Sequence, residues 1–135
     1  MNNYYLNEYM VPATMPNYNC YNDSKFYNPD EGFLRGNMIR NEYDSYKNMK
    51  FKKPEINNSK DMLMYDIQKY SFAAHDLNLY LDINPNDKEA IRLYNEYNNK
   101  TDSLIKEYES CYGPINLMGT IDPWTWIDEP WPWNV

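Results

Sequence analysis

The sequence predicts a mainly α-helical protein: an antiparallel two-helix hairpin, with an extended Trp/Pro-rich C-terminal arm and a largely irregular Asn/Tyr-rich N-terminal region. Three observations predict this class. Two apolar stripes at helical spacing follow residue 59, and a short polar loop separates them. Prolines at positions 123, 130 and 132 prevent the last residues from continuing as a helix. Two helices joined by so short a loop must lie antiparallel.

The N-terminal part, residues 1–57, is predicted to be extended or disordered, apart from a short ordered island at residues 29–46. Residues 1–28 are rich in Asn, Tyr and Pro and show neither a helical nor a strand period. Pro29 followed by Asp30 and Glu31 suits the first turn of a helix, because Pro needs no amide partner there and acids favour that end. The candidate apolar residues of the island are Phe33, Met38 and Ile39.

The second predicted unit, residues 58–135, contains the hairpin and the arm. Ser59 is the expected N-cap of the first helix, since its hydroxyl can accept a hydrogen bond from the first turn. The spacing of the apolar positions alternates between four and three residues and therefore keeps them on one face. These positions are Leu63, Ile67, Tyr70, Ala74, Leu77 and Leu81.

The second helix shows the same spacing and has two candidate starting points. Asn84 can cap it with Pro85 in the first turn, and Asn86 can cap it equally well with Glu89 three residues later. The Gly-Pro pair at 113–114 predicts its end. Its stripe comprises Ala90, Tyr94, Tyr97, Thr101, Leu104, Tyr108 and Cys111.

The C-terminal arm holds all four tryptophans of the chain, between positions 124 and 133. A hairpin of about fifty residues buries too little surface to be comfortably stable alone, so it needs a third element. The arm can supply that element by lying along the hairpin, or it can dock on another subunit. Both arrangements are open at this level.

Composition and charge argue against several functions. The net charge of −7 lies entirely in residues 58–135, which disfavours nucleic acid as a ligand. No apolar run is long enough to span a membrane, and the N-terminus lacks the features of a secretory signal, so we expect a protein used inside the cell that makes it. Cys20 and Cys111 are too far apart in sequence for a metal motif and are expected to be free thiols, with a bridge between them in an oxidising particle as the open alternative.

Catalytic and metal-binding patterns are also missing. His75 is the single histidine, and a lone histidine without a nucleophile or a second ligand favours a structural or surface role. The sequence has no Glu-x-x-His pair of the type used by carboxylate-bound di-metal bundles, and no phosphate-binding loop. We therefore predict no enzyme activity, no metal and no cofactor.

Two stretches resemble a known family. The sequence DLNLYLD at 76–82, with Pro85, Asp87, Ala90 and the Tyr-Asn pair at 94–95, looks like the central motif of the CotJB spore coat proteins of endospore-forming bacteria. The pattern YGP at 112–114, PWTW at 123–126 and EPWPW at 129–133 is similar to their C-terminal segment. The resemblance covers about residues 62–135. A second resemblance, to CotJA-type coat peptides, rests on Arg35-Gly36, Tyr43 and Tyr46 within the island.

The resemblance implies a small structural protein of the spore coat, synthesised in the mother-cell cytoplasm. It also implies incorporation with a coat-associated manganese catalase of the CotJC-like type and with other coat proteins, with homo- and hetero-oligomers both open. The arm is the expected docking element, since aromatic anchors on a proline-stiffened backbone bind at low entropic cost. The predicted partner-binding residues are Trp124, Trp126, Pro130, Trp131, Pro132 and Trp133. The alternatives are a glycan-binding module that uses exposed Trp rings, and a maturation or accessory subunit of the metal enzyme.

Overall fold

The computed structural model describes residues 24–42, 50–116, 123–124 and 127–129. These residues form three helices: α1 (Pro29–Arg35), α2 (Ser59–Ile83) and α3 (Lys88–Tyr112). Helices α2 and α3 pack against each other along the hairpin, and α1 packs on α2. None of the described residues belongs to a strand. The predicted class, a mainly helical protein built on a two-helix hairpin, is confirmed.

The caps of the two long helices differ from the predicted ones. Asn58, and not Ser59, caps α2: its side-chain oxygen accepts a hydrogen bond from the Asp61 amide at 2.8 Å. Asp87 caps α3, so both predicted caps, Asn84 and Asn86, were wrong. The Asp87 carboxylate accepts two amide hydrogen bonds, and its negative charge complements the positive end of the helix dipole, which a neutral asparagine side chain does not. Asn84 instead ends α2.

Helix α1 begins as the sequence predicts. Asn28 accepts a hydrogen bond from the Glu31 amide at 2.9 Å, and Pro29 occupies the first turn. Gly36 ends the helix in the left-handed conformation, with φ of 70°, and this turn directs the chain back towards α2. We call residues 24–42 the strap, because its contacts with the hairpin extend from Ser24 to Ile39.

Helix α2 is apolar on two faces. Ile67, Ala74 and Leu77 lie on the predicted stripe and are buried. A second set lies roughly a quarter turn or more away on the helical wheel and faces the strap. Its members are Tyr65, Lys69, Phe72, Ala73, Asp76 and Tyr80. Because of this second face, α2 is the central element of the protein.

The strap completes the hydrophobic core. Phe26 and Met38 are 2% and 0% exposed and belong to the same cluster as Leu77, Ala90 and Leu93. The sequence interpretation of residues 1–28 missed this role of Phe26, since a single aromatic residue has no period. Met38 lies in that cluster and Ile39 packs against it, a placement on the hairpin that the sequence did not predict. The division of the chain at residues 57 and 58 stays a prediction.

The α3 stripe is confirmed in its centre and corrected at one end. Ala90, Tyr97, Thr101, Leu104 and Tyr108 are buried, whereas Cys111 is an exposed free thiol. Cys111 lies in the last turn of α3. Because the two helices are antiparallel, this turn lies beside the first turn of α2, where few α2 side chains are available to cover it. Gly113 ends the helix with a φ of 94°, as the Gly-Pro pair predicted.

Candidate interaction surface

The strap meets α2 through a row of aromatic contacts. The Phe26 ring meets the Tyr80 ring edge-on, with centroids 5.2 Å apart and an interplanar angle of 87°. Phe33 of α1 lies 5.6 Å from both Tyr65 and Phe72. Aromatic pairs in these geometries add to the stabilisation from the buried area itself. The row therefore fixes how the strap lies along α2.

Asp87 joins the strap to the start of α3. One carboxylate oxygen accepts hydrogen bonds from the Glu89 and Ala90 amides at 3.1 and 3.2 Å. The other accepts a hydrogen bond from the Tyr80 hydroxyl at 2.9 Å and forms an ion pair with Lys25 of the strap. The hydrogen bond from Lys25 is the main cause that lowers the pKa of Asp87 to about 2. The same bond raises the pKa of Lys25, so both groups stay charged at neutral pH.

Further hydrogen bonds hold the two ends of the strap. Ser24 donates to the Glu89 carboxylate at 2.8 Å, and the Met38 amide donates to Asp76 at 2.7 Å. Within the strap, the Tyr27 amide donates to the Met38 carbonyl at 2.7 Å, and the Arg40 amide donates to the Lys25 carbonyl at 2.8 Å. The strap is thus a closed loop of chain, whose two ends lie together over the C-terminal half of α2.

Lys69 is the most deeply buried charged residue among those described, with 7% of its surface exposed. Its ammonium pairs with Asp66 at 2.8 Å and with Asp30 of α1 at 3.2 Å, and it lies 4.9 Å from the centre of the Tyr70 ring. Burial alone would lower the pKa of Lys69, but the two carboxylates outweigh burial and raise it. This lysine is fully paired and links α1 to α2.

The base of the hairpin, formed by the start of α2 and the end of α3, is the part that precedes the arm in the sequence. Ile115 packs against a second cluster that contains Ile67, Leu104 and Tyr108, and its amide donates to the Glu109 carboxylate at 3.2 Å. The Tyr108 hydroxyl is buried and has no hydrogen-bond partner among the described residues, and burial raises its pKa. Tyr112 contacts the Tyr108 ring and is 44% exposed.

The predicted partner-binding residues are only partly described. Trp124 is 58% exposed and Ile127, three residues later, is 71% exposed. The remaining residues of the predicted set lie outside the described part of the chain: Trp126, Pro130, Trp131, Pro132 and Trp133. The docking role of the arm therefore stays a prediction, and so does the choice between its own hairpin and a partner.

Little in the described residues suggests catalysis. His75 is exposed on α2, and the residues described contain no group of three or more candidate metal ligands. An open groove of about 440 Å³ lies along α3 beside Tyr97, whose pKa is raised by burial to about 12. A tyrosine with so high a pKa stays protonated and is a poor general base at neutral pH. No helix in the described ranges is long and apolar enough to cross a membrane.

Sequence reasoning missed the strap-facing side of α2 and the double role of Asp87. One signal was available: Tyr65, Phe72, Ala73 and Tyr80 are apolar or aromatic residues that fall off the predicted stripe. A helix with apolar residues outside its main stripe usually packs against a second neighbour. The identity of that neighbour was not readable from the spacing.

The fold and its contacts define a class: a small helical-hairpin protein whose most distinctive described residues pack the strap against the hairpin. The family model described as CotJB protein matches residues 61–134, and the chain belongs to the CotJB family. The match spans the hairpin and the arm and leaves out the strap, so the CotJA-like island is not supported by it. No curated protein and no solved structure matches the chain at a significant level.

Family membership gives a coarse functional statement. CotJB is a family of spore coat proteins and is not a known enzyme family, so this chain is a spore coat-related protein. The resemblance noted in the motif at 76–82 and in the Trp-rich arm is confirmed.

Proposed function

We propose that this protein is a non-enzymatic structural component of the spore coat, which takes part in coat assembly and binds a coat manganese catalase through its C-terminal arm. The observation that carries the proposal is the family match over residues 61–134, which includes the arm as well as the hairpin. The hairpin is the proposed platform, and Ile115, the last apolar residue described before the arm, packs on its base.

The exposure of the first arm residues supports a docking role. Trp124 and Ile127 present large apolar side chains to solvent, at 58% and 71% exposure. Trp is enriched among the residues that dominate binding energy at protein interfaces, because it buries a large area with few rotatable bonds. Prolines at 130 and 132 restrict the backbone of the arm before it binds.

The test is co-expression of the full chain with the manganese catalase of the same organism, followed by size exclusion and mass spectrometry. We expect a defined complex, which a variant ending at Thr120 fails to form although its helix content is retained. Trp124→Ala should weaken binding by about tenfold or more, in keeping with a hot-spot residue. Ile83→Ala is the matched control, because Ile83 is 83% exposed at the far end of the hairpin and should bind normally.

A full complex with the variant that ends at Thr120 would contradict the docking role of the arm. The exposed Trp124 ring also suits stacking on a sugar face, which is the second candidate function. A red-shifted tryptophan emission that moves to the blue on addition of spore glycan, without a catalase complex, would favour glycan binding. Lower manganese content of the catalase made without this protein would favour the accessory role.

A further inference from the structure

We propose that the strap is exchangeable: residues 24–42 of one chain dock on the hairpin of a second copy, in the same place that they occupy on their own hairpin. Such an exchange would link chains through an interface already present within each of them. Exchange of an identical element between copies is a low-cost route to assembly, because no new contact has to be built. This proposal is independent of the catalase-binding role of the arm.

The strap and the hairpin complete each other. Without the strap, the outer face of α2 would expose the apolar surface that Phe26 and Met38 now cover, and these two side chains would be exposed as well. Asp87 would lose Lys25, and Asp76 would lose the Met38 amide. A hairpin in need of a strap accepts it equally well from either chain, since every one of these contacts is non-covalent.

The strap also holds its own shape. Asn28 caps α1, Arg35 pairs with Glu31 at 3.0 Å, and Gly36 turns the chain. The hydrogen bonds between the two ends of the strap then close the loop, with an antiparallel bridge between Phe26 and Ile39. These contacts are all internal to residues 24–42. The segment can therefore keep one conformation on either hairpin.

The connection between strap and hairpin is long enough to reach a neighbour. The Met38 amide contacts Asp76, and the helical rise of about 1.5 Å per residue places Asp76 roughly 27 Å along α2 from Asn58. The chain from Arg40 to Asn58 can extend to roughly 60 Å at about 3.4 Å per residue. Its described part, residues 50–57, is largely exposed and has no helix or strand. The connection thus exceeds by about twofold what docking on its own hairpin requires.

The experiment uses a cross-link that reports on strap docking in the full chain. A carbodiimide joins Lys25 to Asp87 only when the strap is docked, because the two groups are ion-paired there. Unlabelled and ¹⁵N-labelled chains are unfolded, mixed and refolded together at high concentration, and the Lys25–Asp87 peptides are analysed by mass spectrometry. We expect pairs that combine one labelled and one unlabelled half. The Asp66–Lys69 cross-link within α2 is the control, since it must always carry a single label.

A deletion makes exchange obligatory. Removal of residues 44–56 leaves five residue steps between Arg40 and Asn58, which cover roughly 18 Å and cannot span the roughly 27 Å required. We expect this variant to form particles of at least twice the chain mass, with about half of the Lys25–Asp87 pairs carrying mixed labels. Pairs confined to a single label, in the co-refolded full chain and in the deletion variant, overturn the proposal. If the deletion variant does not fold, the result on the full chain decides.

Discussion

Replacement of Phe26 by alanine tests whether the strap is part of the core. Phe26 is 2% exposed and contacts the Tyr80 ring edge-on within the main cluster. Truncation of a buried Phe to Ala usually costs about 3–5 kcal/mol. Among the residues that the structure describes, the strap packs on α2 and the start of α3, so we expect it to detach before the hairpin unfolds. The measured loss is then limited by the free energy of strap docking, and we expect about 3 kcal/mol.

The assay is urea unfolding of the full chain, followed by far-ultraviolet circular dichroism. Ile83→Ala is the control, because Ile83 is 83% exposed at the end of α2 and its truncation should change the free energy of unfolding by less than about 0.5 kcal/mol. The double variant Phe26→Ala/Met38→Ala should lose less than the sum of the two single losses, since either change already releases the strap. A Phe26→Ala protein as stable as the Ile83→Ala protein would refute the reasoning.

Three further predictions concern single positions. Asp87→Ala should lower the free energy of unfolding by about 1 kcal/mol, because the cap of α3 is lost. Since the pKa of Asp87 is lowered to about 2, the stabilisation by its carboxylate is present above about pH 4 and disappears as the pH falls through 2. Urea titrations in which the parent and Asp87→Ala proteins show the same pH dependence would contradict this. Gly32→Ala should lower the melting temperature by an amount equivalent to about 1–3 kcal/mol, since the Cβ of the new alanine would collide with the Met38 sulfur. An unchanged melting temperature would show that the Met38 side chain moves aside freely. Because burial raises the pKa of Tyr97 to about 12, its neutral side chain stabilises the protein below pH 10, and this stabilisation is lost as the pH rises through 12. The Tyr97→Phe protein should therefore resist alkaline unfolding better than the parent. Identical curves of unfolding against pH for the two proteins would argue against burial of Tyr97.

The hairpin was predictable because its signals repeat. The predicted stripe of α3 has seven positions at alternating spacings of four and three residues, and so long a repeat is a stronger signal than any single residue. For this reason α3 was placed correctly from Ala90 to Tyr108. Its start was not predictable to the residue, because three neighbouring polar side chains at 84, 86 and 87 can all act as caps. The choice of Asp87 depends on Tyr80 and Lys25, which are brought to it only by the fold.

The strap shows what sequence patterns cannot supply. Pro29 and the acids after it predicted a helix start, and this was confirmed. The position of Phe26 against Tyr80 depends on a contact between residues more than fifty positions apart, for which a short segment carries no periodic signal. For the arm, the Trp and Pro pattern predicts an extended docking element, but the identity of its partner depends on a second molecule.

Asp87 gives the molecule a built-in reporter. Its two carboxylate oxygens have different partners. One accepts hydrogen bonds from the Glu89 and Ala90 amides, and the other accepts a hydrogen bond from Tyr80 and pairs with Lys25. When Lys25 leaves, the carboxylate keeps Tyr80 but loses its ion pair, and we expect both amides to become easier for solvent to reach. The hydrogen-exchange rates of the Glu89 and Ala90 amides should therefore report whether the strap is docked, without any chemical modification of the protein and in every assembly that contains the chain.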